Sequence, residues 1–291
     1  AQRLERKSKR MGYSMEKLLD FLKLEPSLQV RAKALFQENR TKLEELAAAC
    51  ENHDENAYQP GGSGDDFSAL KNLDPLWKLC VVLLRACNVW KWYQKKQISE
   101  EIYLQTMSDI RIWCENHHNN GVENTNWLHN HVSFQLFRIG RLQFQFYPCY
   151  NETFDYSRLP FPKGEPTIYI HIPQGEPLDK SACVQSIRQA DDFLKQYFPE
   201  YTYHWYFCES WLLYEKNREF MRADSNILQF GALFTHCYSE PDDAQAIERI
   251  FGERRACIED YSEVTSLQRQ AKAYLKARKT LGVGLGVIER K

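Results

Sequence analysis

The stretch "TIYIHIPQGEPLDKSAC", Thr167–Cys183, holds the residue types best spaced for chemistry. An alternating apolar strand climbs to His171, breaks at Pro173, turns through Gly175 and opens a helix near Asp179. A loop that feeds a helix N-terminus offers backbone N–H groups to an anion. His171 places beside it a group that titrates near neutrality. An ordinary strand-to-helix connection, with His171 hydrogen-bonded in a core, accounts for the same residues.

A second candidate is "FCESW", Phe207–Trp211. Cys208 as a nucleophile would need an activating base, and His171 on a neighbouring strand could serve. A buried, inert thiol is the simpler reading. Glu209 sits between Phe207 and Trp211, where burial would raise its pKa and suit it to general-base work. Cys114, His117, His118, His129 and His131 fall in one window with Cys-x2-His and His-x-His spacing. They could hold zinc, but no second paired-ligand motif stands at a standard spacing, and a helix end with a loop fits the Asn-rich text. No metal is expected. In "FRIGR", Phe137–Arg141, two arginines at a strand entry suit capping of carbonyls or pairing with carboxylates. "LGVGLG", Leu281–Gly286, lacks the strand before and helix after that a phosphate-cradling loop requires. It reads as a turn into a C-terminal strand.

These groups need a scaffold, and the chain is large enough to supply one. Its 291 residues are 43% hydrophobic and 13% aromatic with a net charge of -1, and the mean hydropathy is -0.60. That composition buries a core and gives no global basic excess for nucleic acid. The basic run Arg3–Arg10 reads as a solvated end or the exposed face of a first helix. Nine cysteines, odd in number and several inside apolar runs, suit reduced, structural thiols and a cytoplasmic location. No signal peptide is visible. The longest apolar run, Leu79–Cys87, is interrupted by Arg85 and too short to span a bilayer.

Helical periodicity marks roughly the first 120 residues. Asp74-Pro75 and Ser99 are helix-start signals. "QPGGSGDD", Gln59–Asp66, is a Gly-rich break and the expected first site of proteolysis. A single helix is expected over "SEEIYLQTMSDIRIWCENH", and a short one over "NTNWLHNHVSFQL". The period then changes to two. "LQFQFYPCY", "TIYIHIP" and "YTYHWYFCESW" read as strands, and the segment between the last two carries a helical stripe through Cys183, Ile187, Ala190, Leu194 and Tyr197. That is a βαβ-like unit. Later helices fit "DDAQAIERIFGE" and "SLQRQAKAYLKARKT". The expected fold class is α+β: a helical N-terminal domain over 1–130, then a mixed β-sheet domain flanked by helices over 131–291.

The blocks "WLHNHVSFQLFRIGRLQFQF", "YIHIPQGEPLDKSACVQSI", "FCESWLL" and "SNILQF" resemble bacterial acyltransferase-domain proteins. These join an N-acyltransferase N-terminal helical domain to a GNAT-like C-terminal domain. The resemblance runs from about Ser14 to the glycine-rich end. It implies an acyl-CoA co-substrate, with the pyrophosphate held by backbone N–H groups at a strand end, a loop and a helix start. Carried onto this chain, those positions are Ile172, Pro173, Gln174, Gly175 and Ser181. The usual loop, Gln/Arg-x-x-Gly-x-Gly/Ala, is replaced here by "PQGEPLD". Pro173 and Pro177 remove two N–H donors, and Glu176 and Asp179 add negative charge.

The leading expectation is an acyl-CoA-dependent N-acyltransferase acting on a small-molecule amine or a peptide, with His171 or Glu209 as base. A GNAT-like scaffold that binds a ligand or a protein partner without catalysis is the alternative, supported by the unusual loop. A cysteine hydrolase using Cys208 and His171 is the third. Neither nucleic acid nor a membrane is an expected partner.

Overall fold

A computed structural model describes residues 12–291; the basic run Arg3–Arg10 lies outside them. Two compact units are distinguishable. One takes the chain up to Phe146 with Ile172–Glu176 and Gln189–Tyr201; the other takes Tyr147–His171, Pro177–Arg188 and Thr202–Lys291.

The first unit is mainly helical: α1 (Met15–Leu22), α2 (Pro26–Cys50), α3 (Pro75–Lys96), α4 (Glu100–Met107), α5 (Asp109–Asn116) and α6 (Thr125–Val132). The starts have chemical causes. The Asp74 carboxylate accepts from Leu76 N–H and Pro75 holds the first position of α3; Ser99 caps α4 and Asn124 caps α6. α2 packs along α3, burying Leu28, Ala32, Leu43 and Ala47 against the Leu79–Leu83 run, Ala86 and Val89. The single helix expected over Ser99–His117 is broken at Ser108. Thr106 Oγ1 donates to the Ile102 carbonyl at 2.8 Å, and Ser108 Oγ to the Gln105 carbonyl at 2.5 Å. Such back-bonding competes with the helix ladder and bends it. α6 stops at Val132, because Phe134 takes φ 62° and ends the turn, so Gln135 lies outside the helix.

The Gly-rich break is a loop, as expected, but it is tied down along its length. Gln135 donates to the Gln59 carbonyl and accepts from Gly61 N–H, both at 2.9 Å. Gly64 N–H reaches the Ala57 carbonyl at 2.8 Å, Asp65 N–H reaches Ser133 Oγ at 3.0 Å, and the Asp65 side chain is buried. An early proteolytic cut needs a segment that can detach, and these bonds oppose detachment of this one.

Six strands among the described residues form one mixed sheet: β1 (Leu136–Ile139), β2 (Leu142–Pro148), β3 (Pro166–His171), β4 (Trp205–Ser210), β5 (Thr235–Glu240) and β6 (Val283–Glu289), in the order β1-β2-β3-β4-β6-β5. β1 and β2 are an antiparallel hairpin closed at Gly140-Arg141. β3 and β4 are parallel, joined by α7 (Lys180–Tyr197), which is the βαβ unit expected from the sequence. β6 runs antiparallel to both β4 and β5. Three further helices, α8 (Asn226–Gly231), α9 (Ala244–Phe251) and α10 (Ser266–Lys276), belong to the second unit. One face of its sheet carries a core of Phe207, Tyr238, Leu285 and Val287 with Cys149, Phe154 and Phe161. No helix among the described residues is long and apolar enough to cross a membrane.

Candidate active site at the ends of two parallel strands

β3 and β4 are in register at only two pairs, Ile168↔Tyr206 and Tyr169↔Phe207. Paired residues share a face, and successive residues alternate. Tyr169 and His171 therefore point to the same side of the sheet as Phe207 and Glu209, while Ile168, Ile170 and Cys208 point to the other. The structure thus brings the two predicted catalytic groups, His171 and Glu209, to the same face, each two residues beyond the last registered pair. Both are half-buried.

Tyr169 connects them. Its ring stacks on the His171 imidazole, centroids 4.0 Å apart and planes 16° off parallel. Its hydroxyl donates to the Glu209 carbonyl at 3.2 Å. The ring also packs on Phe207 at 4.3 Å and on Tyr147 at 5.4 Å. Burial holds the Glu209 carboxyl above the usual carboxylate range, and the nearby Glu240 and Asp242 charges push it the same way.

Cys208 is 1% exposed, and burial, with the Glu209 charge, drives its thiol far above the ordinary range. It lies on the face opposite His171. A thiolate is the reactive form, so the cysteine-hydrolase reading fails on both counts. All nine cysteines are free, and seven are buried.

The loop after β3 is shaped by the "FRIGR" arginines. Arg141 Nη1 donates to the Pro173 carbonyl at 2.9 Å and Nη2 to the Glu176 carbonyl at 2.8 Å. Arg138 Nη2 pairs with Glu176 Oε2 at 3.2 Å. The arginines cap carbonyls and pair with a carboxylate, as their position in the sequence suggested. Ile172 is half-buried and Pro173 buried, whereas Gln174, Gly175 and Glu176 are exposed. Gly175 has φ 102° and nothing within 4 Å of where a Cβ would stand. Only glycine adopts that backbone without strain. Ser181 lies exposed in the first turn of α7, and the Asp179 carboxylate accepts from Ala182 N–H at 2.8 Å.

The Cys/His window disperses. Cys114 is buried and its thiol pushed up to about 12 by desolvation. His117 lies 3.8 Å from Glu123. His118 takes φ 53° beyond the end of α5. His129 contacts the Asp65 carbonyl at 2.5 Å. His131 pairs with Asp109 at 3.0 Å, both buried. Among the described residues no three His, Cys, Asp or Glu side chains converge on a metal position. "LGVGLG" leads into a C-terminal strand, as expected, but the strand β6 already starts at Val283, so Gly284 and Gly286 lie inside it. A Cβ on Gly284 would fall 2.0 Å from the Leu213 carbonyl oxygen, and one on Gly286 would fall 2.8 Å from Phe234 Cβ. Gly284 admits neighbouring backbone and Gly286 the Phe234 side chain.

Tyr169 went unremarked in the sequence, although strand alternation places it on the face of His171. Its bond to Glu209 depends on strand pairing, which alternation does not reveal.

Residues 136–288 match the GNAT-like C-terminal domain, and residues 13–134 match the N-acyltransferase N-terminal domain. No curated protein matches the chain. Among solved structures, an acyltransferase in complex with decanoyl-CoA and teicoplanin is similar at 23% identity and TM-score 0.75, over 94% of this chain and 87% of that one. An acyltransferase mutant in complex with octanoyl-CoA is similar at 22% identity and TM-score 0.76, over 97% and 90%. An acyltransferase with CoA and 10C-teicoplanin gives 22% and 0.74, over 96% and 88%. At that identity the likeness is one of fold. Two domain matches that together run from residue 13 to residue 288 carry the assignment: the chain belongs to the family that joins an N-acyltransferase N-terminal domain to a GNAT-like C-terminal domain.

Proposed function

We propose that this protein transfers an acyl group from acyl-CoA to the amine of a small molecule or peptide, with a helical domain over 1–130 and a GNAT-like domain over 131–291. The observation that carries the reading is the placement of His171 and Glu209 on one sheet face, past the point where β3 and β4 stop pairing. In the reaction the neutral amine nitrogen attacks the thioester carbonyl carbon, the C–S bond breaks, coenzyme A leaves as its thiolate and collects one proton from the nitrogen, and the proton that an ammonium acceptor sheds before attack goes to a base. His171 takes that proton as general base. Glu209, with Glu240 and Asp242 nearby, supplies negative potential that draws an ammonium acceptor. The carbonyl oxygen's developing charge is met by a backbone N–H of β3 beyond Tyr169.

Three features of the residues after β3 support a pyrophosphate there. Arg141 engages two carbonyls of the loop, Arg138 offsets the Glu176 charge, and the Gln174, Gly175 and Glu176 backbone is left exposed around a glycine with no side chain in the way. Ile172, Pro173, Gln174, Gly175 and the Ser181 amide are the proposed cofactor contacts. Asp179 already engages one amide of the helix start, so most of the phosphate contact falls to the loop. Similarity in fold to acyltransferases holding decanoyl-CoA and octanoyl-CoA supports a medium-chain acyl donor, and one that also holds teicoplanin supports a bulky acceptor.

Thermal unfolding with and without decanoyl-CoA tests the reading. Binding to the folded state alone stabilises it by about 2.7 kcal/mol at a hundredfold excess over Kd, with acetyl-CoA weaker. No stabilisation by any acyl-CoA would return the non-catalytic scaffold to first place.

A further inference from the structure

We propose that Tyr169 is the positioning residue of this site: its ring sets the His171 imidazole, and its hydroxyl fastens β4 at Glu209. The inference rests on the reading of His171 and Glu209 as the working groups.

The need for such a residue follows from the strand register. Tyr169↔Phe207 is the last registered β3–β4 pair, and His171 and Glu209 each lie two residues beyond it. The Glu209 carbonyl is met from β3 by a side chain, the Tyr169 hydroxyl at 3.2 Å. The same side chain is two residues before His171 on the same face, where alternation along one strand brings the two rings together. The contact is face to face, 4.0 Å and 16°, which restricts rotation of the imidazole about its own side-chain bonds.

A purely structural Tyr169 would be a core aromatic with a satisfied hydroxyl. Its packing on Phe207 and Tyr147 does serve the core. The two roles separate by substitution. Tyr169→Phe keeps the ring and its packing and removes only the hydroxyl. Tyr169→Leu keeps apolar volume and removes the stacking partner.

The experiment measures carbethoxylation of His171 by diethyl pyrocarbonate, followed by peptide mass spectrometry in the full-length protein, with the exposed His118 as internal reference. In parallel, thiol release from decanoyl-CoA is measured with hydroxylamine as a minimal amine acceptor. Tyr169→Leu should raise His171 labelling several-fold relative to His118. It should lower kcat by about 10²-fold, the usual cost of a misplaced catalytic group, with the KM for decanoyl-CoA unchanged. Tyr169→Phe should fall between wild type and Tyr169→Leu in both. Unchanged His171 labelling in both variants overturns the proposal whatever the kinetics show. The functional reading fails separately: if His171→Ala turns over like wild type, His171 is not the base, and the labelling arm still decides whether Tyr169 holds it.

Discussion

Arg85 and Asp65 form a two-pronged ion pair inside the helical unit: Nε to Oδ2 at 2.8 Å and Nη2 to Oδ1 at 2.9 Å. Their side chains are 1% and 0% exposed. Arg85 interrupts the apolar run of α3, and Asp65 ends the Gly-rich loop, so the pair ties that loop to the central helix. The Tyr58 hydroxyl also donates to Asp65 Oδ1, at 2.5 Å.

Removing Asp65 leaves the buried Arg85 charge with only Glu51, 3.6 Å from Nη1. Asp65→Ala should destabilise the protein by about 3–5 kcal/mol, read by chemical denaturation, and should expose Gln59–Asp66 to protease. Replacing both groups together, Asp65→Leu with Arg85→Met, should recover much of that stability. A double variant no better than Asp65→Ala would show that the loop is held by something else.

The two catalytic candidates should differ in kinetics. His171→Ala should lower kcat by about 10²–10⁴-fold while sparing decanoyl-CoA affinity, as loss of a general base does. Glu209→Gln should act mainly on the KM of a cationic acceptor. It should also stabilise the fold at alkaline pH. A carboxyl whose folded pKa is raised holds its proton more tightly in the native state, so stability falls as pH rises from the unfolded value through the folded one. Glutamine has no such limb. Equal thermal stability of wild type and Glu209→Gln at pH 8 and at pH 4 would contradict the assignment.

Glycine substitutions should separate open from closed backbone. Gly175→Trp meets empty space and costs roughly 1–3 kcal/mol through its positive φ, yet it should abolish acyl-CoA stabilisation. Gly284→Ala sets a methyl against the Leu213 carbonyl, so it should destabilise more than Gly175→Trp. A thermal melt of each, with and without decanoyl-CoA, checks both. Full acyl-CoA binding by Gly175→Trp would remove the loop from the cofactor site.

Acid should act through Asp109. His131 and the hydrogen-bonding Trp127 and Gln143 side chains hold its carboxyl below the usual value against the opposing effect of burial. The folded state then binds fewer protons than the unfolded chain between the two pKa values. The stabilisation is complete above the unfolded value of about 3.9 and is lost as pH falls through the folded one. The stability gap between wild type and Asp109→Asn should therefore close as pH falls below about 4.

What was legible in the sequence was what neighbouring residues decide. Caps at Asp74 and Ser99, the periodicity of α2, α3, α7, α9 and α10, and the change from period 3.6 to period 2 all follow from local backbone chemistry. So did His171 at a strand end, and the carbonyl-capping and carboxylate-pairing use of Arg138 and Arg141. The resemblance carried by four sequence blocks led to the family. Where strands register, and what a buried side chain meets, stayed hidden. Ser108 breaks a helix that its flanking residues favour, and Gly-rich Gln59–Asp66 is held because Arg85, Ser133 and Gln135 arrive from elsewhere in the chain. Gly284 and Gly286 match a turn signature but exist to admit Leu213 and Phe234. His171, Tyr169 and Glu209 come to one sheet face, and Cys208 to the other, only when β3 and β4 pair with Tyr169 opposite Phe207. A one-residue slip in that register would exchange the faces, so the side chains present at the site depend on long-range pairing that no local pattern specifies.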